Sequence, residues 1–446
     1  MSKVLDYLGR EVTALKRPET KEMGAVGLRD RWYEYPSAGL TPGRLAEIFR
    51  MADYGYPWWQ AELFIEIEEK DTHVATVLQT RKMSVVGLER QVMPFSQDKG
   101  DREIAAFVEE NLNNIVNFEE SLLDLLDALG KGYSVCEILW EINEQQQAIP
   151  KLLQWIHPRR VNFLMSMTPR ILTEDNLADG VEPKPWQIIF HSYRARSGFV
   201  LRAGLLRELA FLYLLKIYAL KDWSIFNEVF GMPLRVGRYD PSASPADRQA
   251  LKEALINLGV DAAGIISKTT EIEFVESKYG SAHYNPYQTL LDWCNGEMSK
   301  AVLGQTLTTE TTRTTGTYAA AKVHEEVRQD LLEADCKALA HTLKMQLIKP
   351  LVGFNFGWDK PLPWIKFAYE QEEDLETLST VYKNLAAIGM PLTQEHISER
   401  FGVPLPEADQ KILHPVPGAL GTEAPAYGLK VWRKEGALPV IPGSSK

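Results

Sequence analysis

The sequence predicts an α+β protein organised around unusually long helices. Two stretches, Ala203 to Phe230 and Thr317 to Lys349, are predicted to form long helices, and no glycine or proline interrupts the second. Between Leu88 and Ser192, short runs rich in β-branched and aromatic residues alternate with helical patterns. Short strands interleaved with helices are typical of an α+β module.

Residues 1–35 show mixed polarity and are predicted to form an extended N-terminal arm. Neither this arm nor any later segment has an apolar core of signal-peptide or membrane-span length, so we expect synthesis in the cytoplasm. The cysteines Cys136, Cys294 and Cys336 have no metal-ligand spacing and are predicted to be free core thiols, as in a reducing compartment.

The first helices are predicted from their capping residues. Thr41 followed by Pro42 is a favourable helix start, because threonine accepts a free N–H and proline is tolerated in the first turn. The pair Trp58 and Trp59 marks the entrance of a second helix. Asp71 is predicted to cap a third helix that has one apolar face.

The segment from Leu88 to Ser192 contains the strands. The strand candidates are LERQVMPF, SVCEILWEI, KLLQWIHP, RVNFLMS and WQIIFHSY, and the helix candidates are DREIAAFVEENLNNIV and FEESLLDLLDALG. The stretch from Gly130 to Ser134 has the composition of a phosphate loop. It lacks the required spacing and lies between helix and strand in the wrong order, so we do not assign a nucleotide site.

The helix from Ala203 to Phe230 is apolar on most of its circumference and is therefore expected to be packed on several sides. Charged residues, among them Arg207, Lys216 and Lys221, leave no apolar run near the roughly 20 residues that a bilayer requires. We expect protein to cover it.

A small module follows between Gly231 and Ala282. It is predicted as a strand (PLRVGRYD), a helix capped by Ser244 and Pro245, and a strand pair (AGIISKTTEIEFVES). Its basic residues Arg235, Arg238 and Lys252 are candidate contact residues, for which a solvated surface charge is the ordinary interpretation.

A second helix from Asn285 to Gln305 precedes a threonine-rich loop. β-Branched threonines lose rotamer freedom in a helix and their hydroxyls compete for the backbone, so we predict an extended or mobile loop. The next helix, Thr317 to Lys349, would be about 50 Å long. Its apolar stripe consists of Val323, Val327, Leu331, Leu339, Leu343 and Leu347.

Beyond Leu351 the elements become shorter and more acidic. Leu375 to Ile388 has helical spacing, and Thr393 is predicted to cap a further helix. After Pro415 the chain is rich in proline, glycine and alanine and is predicted to be flexible or ordered only by a partner.

Catalytic signatures are absent from the sequence. It contains no GxSxG or GxGxxG motif, and His324-Glu325-Glu326 lacks the second histidine of a zinc protease. The glutamates Glu66, Glu68 and Glu69 are expected to form a solvated helix face. His73, His157 and His191 have no partner visible in the sequence. We therefore predict no catalytic residue, no metal and no cofactor.

The formal net charge of −11 argues against a protein that grips duplex DNA. Composition alone would suit a metabolic enzyme equally well.

The order of these elements resembles the portal proteins of tailed phages, most closely the Mu-like branch. The resemblance rests on an apolar helix leaving through NEVFGMP, an inserted module, a helix carrying EMSKAVLGQTLTT, a threonine and glycine loop, and the GTYAAAKVHEEVRQDLLEAD helix. It extends from about residue 71 to about residue 417 and is strongest between Gly204 and Leu351.

The resemblance implies a phage portal fold with an α/β wing, long stem helices, a small α/β clip, a long spine helix and a helical crown. The implied boundaries are an N-terminal arm (1–35), wing (36–202), stem helix (203–230), clip (231–284), second stem helix (285–304), tunnel loop (305–317), spine helix and exit (318–360), crown (361–414) and C-terminal tail (415–446).

The resemblance also implies a function without catalysis. A portal is a homo-oligomeric ring, here expected to be a dodecamer, that forms the head-tail connector at one capsid vertex of the virion. DNA is packaged and ejected through it. The implied partners are the terminase large subunit, the major capsid and scaffold proteins, a head-completion or tail connector protein, and duplex DNA held without sequence specificity.

The implied DNA-contact residues lie in the tunnel loop. They are Thr306, Thr308, Thr309, Thr311, Thr312, Arg313, Thr314 and Thr315, with Arg313 either a phosphate neighbour or a surface charge. Candidate basic residues of the channel or clip are Lys216, Lys221, Arg235 and Arg238.

Two alternatives remain open at this level. A hydrolase with a threonine-rich active-site lid predicts a well-formed pocket inside one subunit. A DNA-binding interaction protein is disfavoured by the acidic balance. A portal instead predicts head-to-tail contacts between identical subunits.

Overall fold

The computed structural model describes residues 3–23, 35–163, 168–231, 235–257, 263–267, 285–305, 318–369 and 375–403. The chain divides into two compact units, Met1–Tyr369 and Glu370–Lys446. The predicted tunnel-loop residues 306–317 and the C-terminal tail lie outside the described residues.

The N-terminal segment begins with a hairpin where the sequence indicated only an extended arm. Strands β1 (Lys3–Leu5) and β2 (Glu11–Thr13) pair antiparallel. The Asp6 carboxylate closes the turn by accepting the N–H groups of Leu8 and Arg10 at 2.9 and 2.8 Å. Local turn chemistry of this kind stabilises a hairpin that has no apolar alternation to reveal it.

Three helices follow: α1 (Pro42–Asp53), α2 (Trp58–Lys70) and α3 (Thr72–Val86). The Thr41 hydroxyl accepts the Arg44 N–H at 3.2 Å. The Asp71 carboxylate accepts the N–H groups of His73 and Val74 at 3.0 and 3.2 Å. Both predicted caps are confirmed.

The α+β module is formed by two small antiparallel sheets and the helices beside them. Its elements are β3 (Arg90–Met93), α4 (Lys99–Asn113), α5 (Phe118–Leu126), α6 (Ala128–Lys131), β4 (Tyr133–Ile142), β5 (Ala148–Ile156), β6 (Val161–Asn162), β7 (Arg170–Thr173), β8 (Asn176–Val181) and β9 (Ile188–Ser192). The sheet orders are β5-β4-β9 and β6-β7-β8. Every strand candidate contains a strand. Strands β7 and β8 were not predicted, because both are short and β8 is polar.

Two glycines allow the backbone between α6 and β4 to touch the backbone that enters the next helix. A Cβ on Gly132 (φ 90°) would lie 2.3 Å from the Val200 carbonyl oxygen, and one on Gly204 would lie 2.4 Å from the Gly130 carbonyl oxygen. Only glycine fits such contacts. The glycines of the segment Gly130 to Ser134 therefore serve packing.

The first long helix, α7, runs from Leu206 to Gly231 and starts slightly later than predicted, after a 3-10 turn. Next come β10 (Arg235–Tyr239), α8 (Pro245–Asn257) and β11 (Ala263–Ser267). Strands β10 and β11 are parallel and α8 connects them, which makes a βαβ unit. As predicted, Ser244 caps α8, with its hydroxyl accepting the Asp247 N–H at 3.2 Å. The second strand predicted after β11 lies outside the described residues.

Helix α9 (Pro286–Leu303) is capped by Asn285 and ends at Gly304, which has a φ of 70°. Helix α10 (Tyr318–Leu343) continues through a π turn (Lys344–Ile348) into α11 (Lys349–Asn355). Pro350 explains the π turn, because proline lacks an N–H and its ring crowds the carbonyl four residues earlier.

Strand β12 (Trp364–Phe367) pairs antiparallel with β3 and belongs to the first unit. This segment was predicted to belong to the crown, and β12 was not predicted, because an exposed-buried alternation over four residues is too short to identify a strand. The second unit contains α12 (Leu375–Ala387) and α13 (Gln394–Phe401), with Thr393 capping α13 as predicted.

Two apolar clusters form most of the core. One joins α4, α5 and the β5-β4-β9 sheet to α10 and α11. The other joins α1, α2 and α3 to α7 and α9, through residues such as Leu78, Leu209 and Val302. Burial of each such side chain contributes roughly 1.5–3 kcal/mol. The three cysteines are buried and free, as predicted. In the described part of the chain, no helix has an apolar stretch sufficient to cross a membrane.

Candidate functional site

Helices α7 and α9 pack side by side, with their bases in the core and their other ends outside it. At the base, Leu209 and Val302 are fully buried. Towards the far end, the rings of Phe226 and Tyr287 lie 5.9 Å apart. From Leu220 to Glu228 almost every side chain of α7 is exposed or only half-buried. The pair of helices thus extends beyond the protein that holds it.

This helix pair carries an exposed apolar face. Phe211, Tyr218 and Ile225 recur at heptad spacing, and Phe211 is 54% exposed. The exposed large apolar residues of the pair, called the stem face below, are Phe211, Tyr218, Leu220, Ile225 and Phe226 on α7 with Leu290 and Trp293 on α9. Among the described residues, the expectation that protein covers α7 is met only at its base. Exposed large apolar residues concentrated on one pair of helices mark an interaction surface.

At the base of the pair, Lys216 is buried and its charge is compensated inside the chain. Its ammonium lies 2.6 Å from the Asp71 carboxylate and donates to Asn295 Oδ1 at 2.8 Å. Lys216 was predicted as a possible basic residue of the channel or clip, and here its charge is engaged within the chain. It holds α7 against the start of α3 and the middle of α9, because a buried cation requires a partner.

Arg81 of α3 joins three further elements. Its guanidinium donates to both carboxylate oxygens of Asp335 on α10, at 2.7 and 3.0 Å, and to the Val302 carbonyl oxygen at 2.8 Å. It also donates to the Tyr193 hydroxyl at 3.3 Å. Burial alone would lower the pKa of Arg81, but the hydrogen bonds and charge of Asp335 raise it above the ordinary value. Arg81 is therefore permanently charged and fully engaged.

A second buried charge cluster corrects the expectation of a solvated glutamate face. The Lys131 ammonium lies 2.7 Å from Glu68 and from Asp127, and Lys82 contacts the same two carboxylates. Burial alone would raise the pKa of Asp127, but the ammonium groups of Lys131 and Lys82 lower it to about 2. The carboxylate of Glu66 is buried as well and accepts the Ser37 N–H at 2.7 Å.

Glu69 alone of the three predicted glutamates is exposed. Periodicity failed for the other two because partners from distant segments cover them: Ser37 donates to Glu66, and Lys82 and Lys131 pair with Glu68. These charges therefore join helices and offer no free carboxylate pair for acid/base chemistry.

The other predicted site residues are distributed over the molecule. Lys221 is exposed on α7, and Lys252 is exposed on α8. Arg235 and Arg238 lie on β10, opposite Ala263 and Ile266 of β11. The threonines of the tunnel loop and Arg313 lie outside the described residues, between Gln305 and the start of α10.

Sequence reasoning missed Arg81 and Asp335 as partners. A signal was present, because Arg81 lies on the apolar face of α3 together with Val74 and Leu78. A charged residue on an apolar helix face requires a buried counter-charge. Its partner is too remote in sequence to be identified without the fold.

No feature of a catalytic centre emerges from the described residues. Within them, no group of histidine, cysteine or acidic side chains has the arrangement of a metal site. A cavity of about 470 Å³ lies beside the N-terminal hairpin and is lined by residues that include Tyr7, Glu182 and Trp186. Its lining contains no serine, cysteine or histidine.

Comparisons of sequence point to one family. A family model described as "Portal protein of Mu bacteriophage" matches residues 61–403. "Mu-like prophage FluMu protein gp29" of Haemophilus influenzae is 30% identical over 420 residues, which cover 92% of this chain and 80% of that protein. "Portal protein" of Escherichia phage Mu is 31% identical over 423 residues, with the same shares covered.

Solved structures show weaker likeness. A chain in the neck of an empty gene transfer agent particle, computed with C6 symmetry, has a TM-score of 0.46 at 12% identity, covering 80% of this chain and 94% of that one. An HK97 family phage portal protein from Corynebacterium diphtheriae has a TM-score of 0.36 at 11% identity, covering 79% and 99%.

Proposed function

The chain belongs to the portal protein family of Mu-like bacteriophages, and from this premise we propose that it assembles into a closed ring of identical subunits at one vertex of a phage head. Twelve subunits are expected for such a ring. DNA enters the head through it during packaging and leaves through it during ejection. The chain is then a structural component of the virion and has no catalytic role.

The stem face is the observation that supports the ring most directly. Helix α7 is apolar around most of its circumference, and a helix of that kind is stable only when it is covered on several sides. Phe211 and Trp293 are more than half exposed in one chain. A ring gives each subunit a neighbour on both flanks, through a head-to-tail contact that closes on itself. The stem faces of adjacent subunits would then be buried.

The segment between α9 and α10 would supply the contact with DNA. Its threonine hydroxyls and the cation Arg313 suit weak contact with the phosphate backbone, which carries no sequence information. Lys221, which is exposed on α7, is a further candidate for the channel wall. The acidic net charge of −11 would keep DNA from adhering to the ring.

The remaining partners follow from the same role. The βαβ unit formed by β10, α8 and β11 would form the clip, which meets the terminase large subunit during packaging and a head-completion or tail connector protein afterwards. The sequence has no nucleotide-binding loop, so the energy for DNA movement would come from the terminase. Major capsid and scaffold proteins would surround the ring.

The test is the double variant Phe211→Glu with Trp293→Glu, compared with Val116→Glu. Val116 is 81% exposed and lies in the turn between α4 and α5, away from the stem face. Each aromatic side chain removed from an interface weakens association by roughly 1.5–3 kcal/mol, about tenfold or more. We expect the double variant to stay monomeric by mass photometry, while Val116→Glu forms rings like the unmodified chain.

Circular dichroism should give the same helix content for all three proteins, since the altered side chains are exposed in the monomer. Rings of normal mass and stability in the double variant would remove the stem face from the assembly interface.

A further inference from the structure

Polar contacts connect α3 to α9 along a face that is otherwise apolar. We call them the polar ladder. Its members are Lys216 between Asp71 and Asn295, His73 with Ser299 at 2.8 Å, and Arg81 with the Val302 carbonyl oxygen. Asp71, Arg81 and Ser299 are all buried. An apolar contact tolerates small sliding movements, whereas a buried hydrogen bond fails when its atoms separate.

The Arg81 end of the ladder lies at the C-terminus of α9. The last carbonyl groups of a helix have no partner inside the helix, and they carry the negative end of its dipole. Val302 lies in this last turn, and its carbonyl oxygen accepts the Arg81 guanidinium at 2.8 Å. Arg81 thus stabilises the end of α9 both as a hydrogen-bond donor and as a cation.

The opposite side of the same turn is held by α10. Gly304 has a φ of 70°, and a Cβ added there would lie 2.8 Å from Val327 Cγ1. Because Asp335 of α10 also binds Arg81 through both its carboxylate oxygens, α10 contacts the end of α9 directly and through the guanidinium. The rigid planar fork of arginine fixes directions as well as distances.

We propose that Arg81 is a positioning residue, which fixes the C-terminal end of α9 relative to α3 and α10. It thereby determines where the chain leaves the stem on its way to the DNA channel. This role rests on the proposed portal function. A buried ion pair contributes little net stability but defines geometry, so its value here is the fixed position of α9.

The test separates position from stability. In the double variant Arg81→Met with Asp335→Leu, both charges disappear together and apolar side chains fill the space. The matched control is Lys131→Met with Asp127→Leu, a buried pair that does not touch α9 and leaves Glu68 paired with Lys82. The single variant Arg81→Lys keeps the positive charge opposite Asp335 but loses the planar guanidinium that donates in two directions.

Hydrogen exchange of the full-length chain reports the result. We expect exchange of the amides from Val302 to Gln305 to accelerate at least tenfold in the Arg81→Met/Asp335→Leu variant, with the unfolding midpoint within a few degrees of the unmodified chain. Arg81→Lys should give an intermediate acceleration, and the control pair should leave these amides unchanged. Equal exchange in all variants would overturn the proposal, and so would equal acceleration in the control.

A packaging assay tests the functional half of the proposal. Phage that carry the Arg81→Met/Asp335→Leu variant should form rings yet package less DNA. Normal packaging despite faster exchange would overturn a role in DNA passage. If the unmodified chain itself formed no rings, the portal function would fail, while the exchange result would still decide the position of α9.

Discussion

At the scale of single residues, Asp71 shows what sequence reveals and what it hides. Its role as the cap of α3 was predicted, because a cap depends on the residues immediately following it. Its pairing with Lys216 was not, since that lysine comes from α7, far along the chain. Arg81 and Asp335 follow the same rule. Helix caps can be predicted from the sequence because their partners are adjacent residues. Buried ion pairs between distant residues can be identified only from the packed structure.

Glu137 is a buried carboxyl group whose ionisation should make stability depend on pH. It lies on β4, is 1% exposed, and accepts the Met23 N–H at 2.6 Å. Its other carboxylate oxygen has no hydrogen-bond partner among the described residues. Burial, and to a smaller extent the charge of Glu22, raise the pKa of Glu137 to about 7, although the Met23 N–H opposes the shift.

The direction of the pH effect follows from this raised pKa. Below about pH 4.5, the ordinary pKa, the carboxyl group is protonated in both the folded and unfolded chains. Between pH 4.5 and 7 the folded chain retains a proton that the unfolded chain has released, so this contribution to stability is lost as pH rises. The loss amounts to about 3 kcal/mol and is complete above pH 7.

We therefore expect Glu137→Gln to stabilise the protein at pH 8 and to change it little at pH 5. Glutamine removes the cost of a buried charge and still accepts the Met23 N–H. Thermal unfolding of the full chain at both pH values measures this, with a midpoint several degrees higher for the variant at pH 8 only.

Glu141→Gln is the matched control for that experiment. Glu141 lies on the same strand, is about half exposed and pairs with Lys151 at 3.0 Å. It should change the midpoint by less than a degree or two at either pH. An unfolding midpoint for Glu137→Gln that follows the unmodified chain across this range would show that Glu137 ionises normally.

At the scale of elements, the sequence predicted both long helices but missed several of the short strands. Of the predicted stripe, Leu339, Leu343 and Leu347 are fully buried, whereas Val327 and Leu331 are half-buried. The π turn before Pro350 interrupts regular geometry without changing the face that is buried. Strands β7 and β12 have only four residues each, and β8 is polar, so none of them shows a clear apolar alternation.

Helix α7 illustrates a prediction whose outcome depends on a neighbour. Its apolar circumference indicated cover on several sides, but a single chain covers only its base. Composition states that a face must be buried without stating what buries it. The exposed apolar residues of the stem face therefore indicate that a second chain packs against this one.

The threonine-rich segment between α9 and α10 can be tested as an element. Replacing residues 308–315 by a Gly/Ser linker should leave ring assembly intact, because the linker alters neither the stem face nor the polar ladder. Packaging of DNA should decrease, since the hydroxyl groups and Arg313 are lost. The comparison is made on phage lysates by the amount of protected DNA per head. Normal DNA filling would exclude the segment from DNA passage.

At the scale of the whole molecule, the order of the elements in the sequence predicted the family. The sequence placed an apolar helix, a small inserted module, a second helix and a long helix in the succession that the Mu portal family shares, and the family match over residues 61–403 confirmed it. The predicted start of the crown at residue 361 stays a prediction, while the pairing of β12 with β3 places residues 364–367 in the first unit.

Subunit number depends on the angle between neighbouring copies, which no single chain specifies. Net charge and composition disfavour a protein that grips DNA, but they do not determine how many subunits assemble. The ring is therefore the central claim, and the stem face is its principal support.

Negative-stain electron microscopy of the purified protein, across a series of concentrations and salt conditions, tests that claim most directly. We expect closed rings with an open axial channel wide enough for duplex DNA, increasing with protein concentration. Compact monomers under every condition would contradict the account.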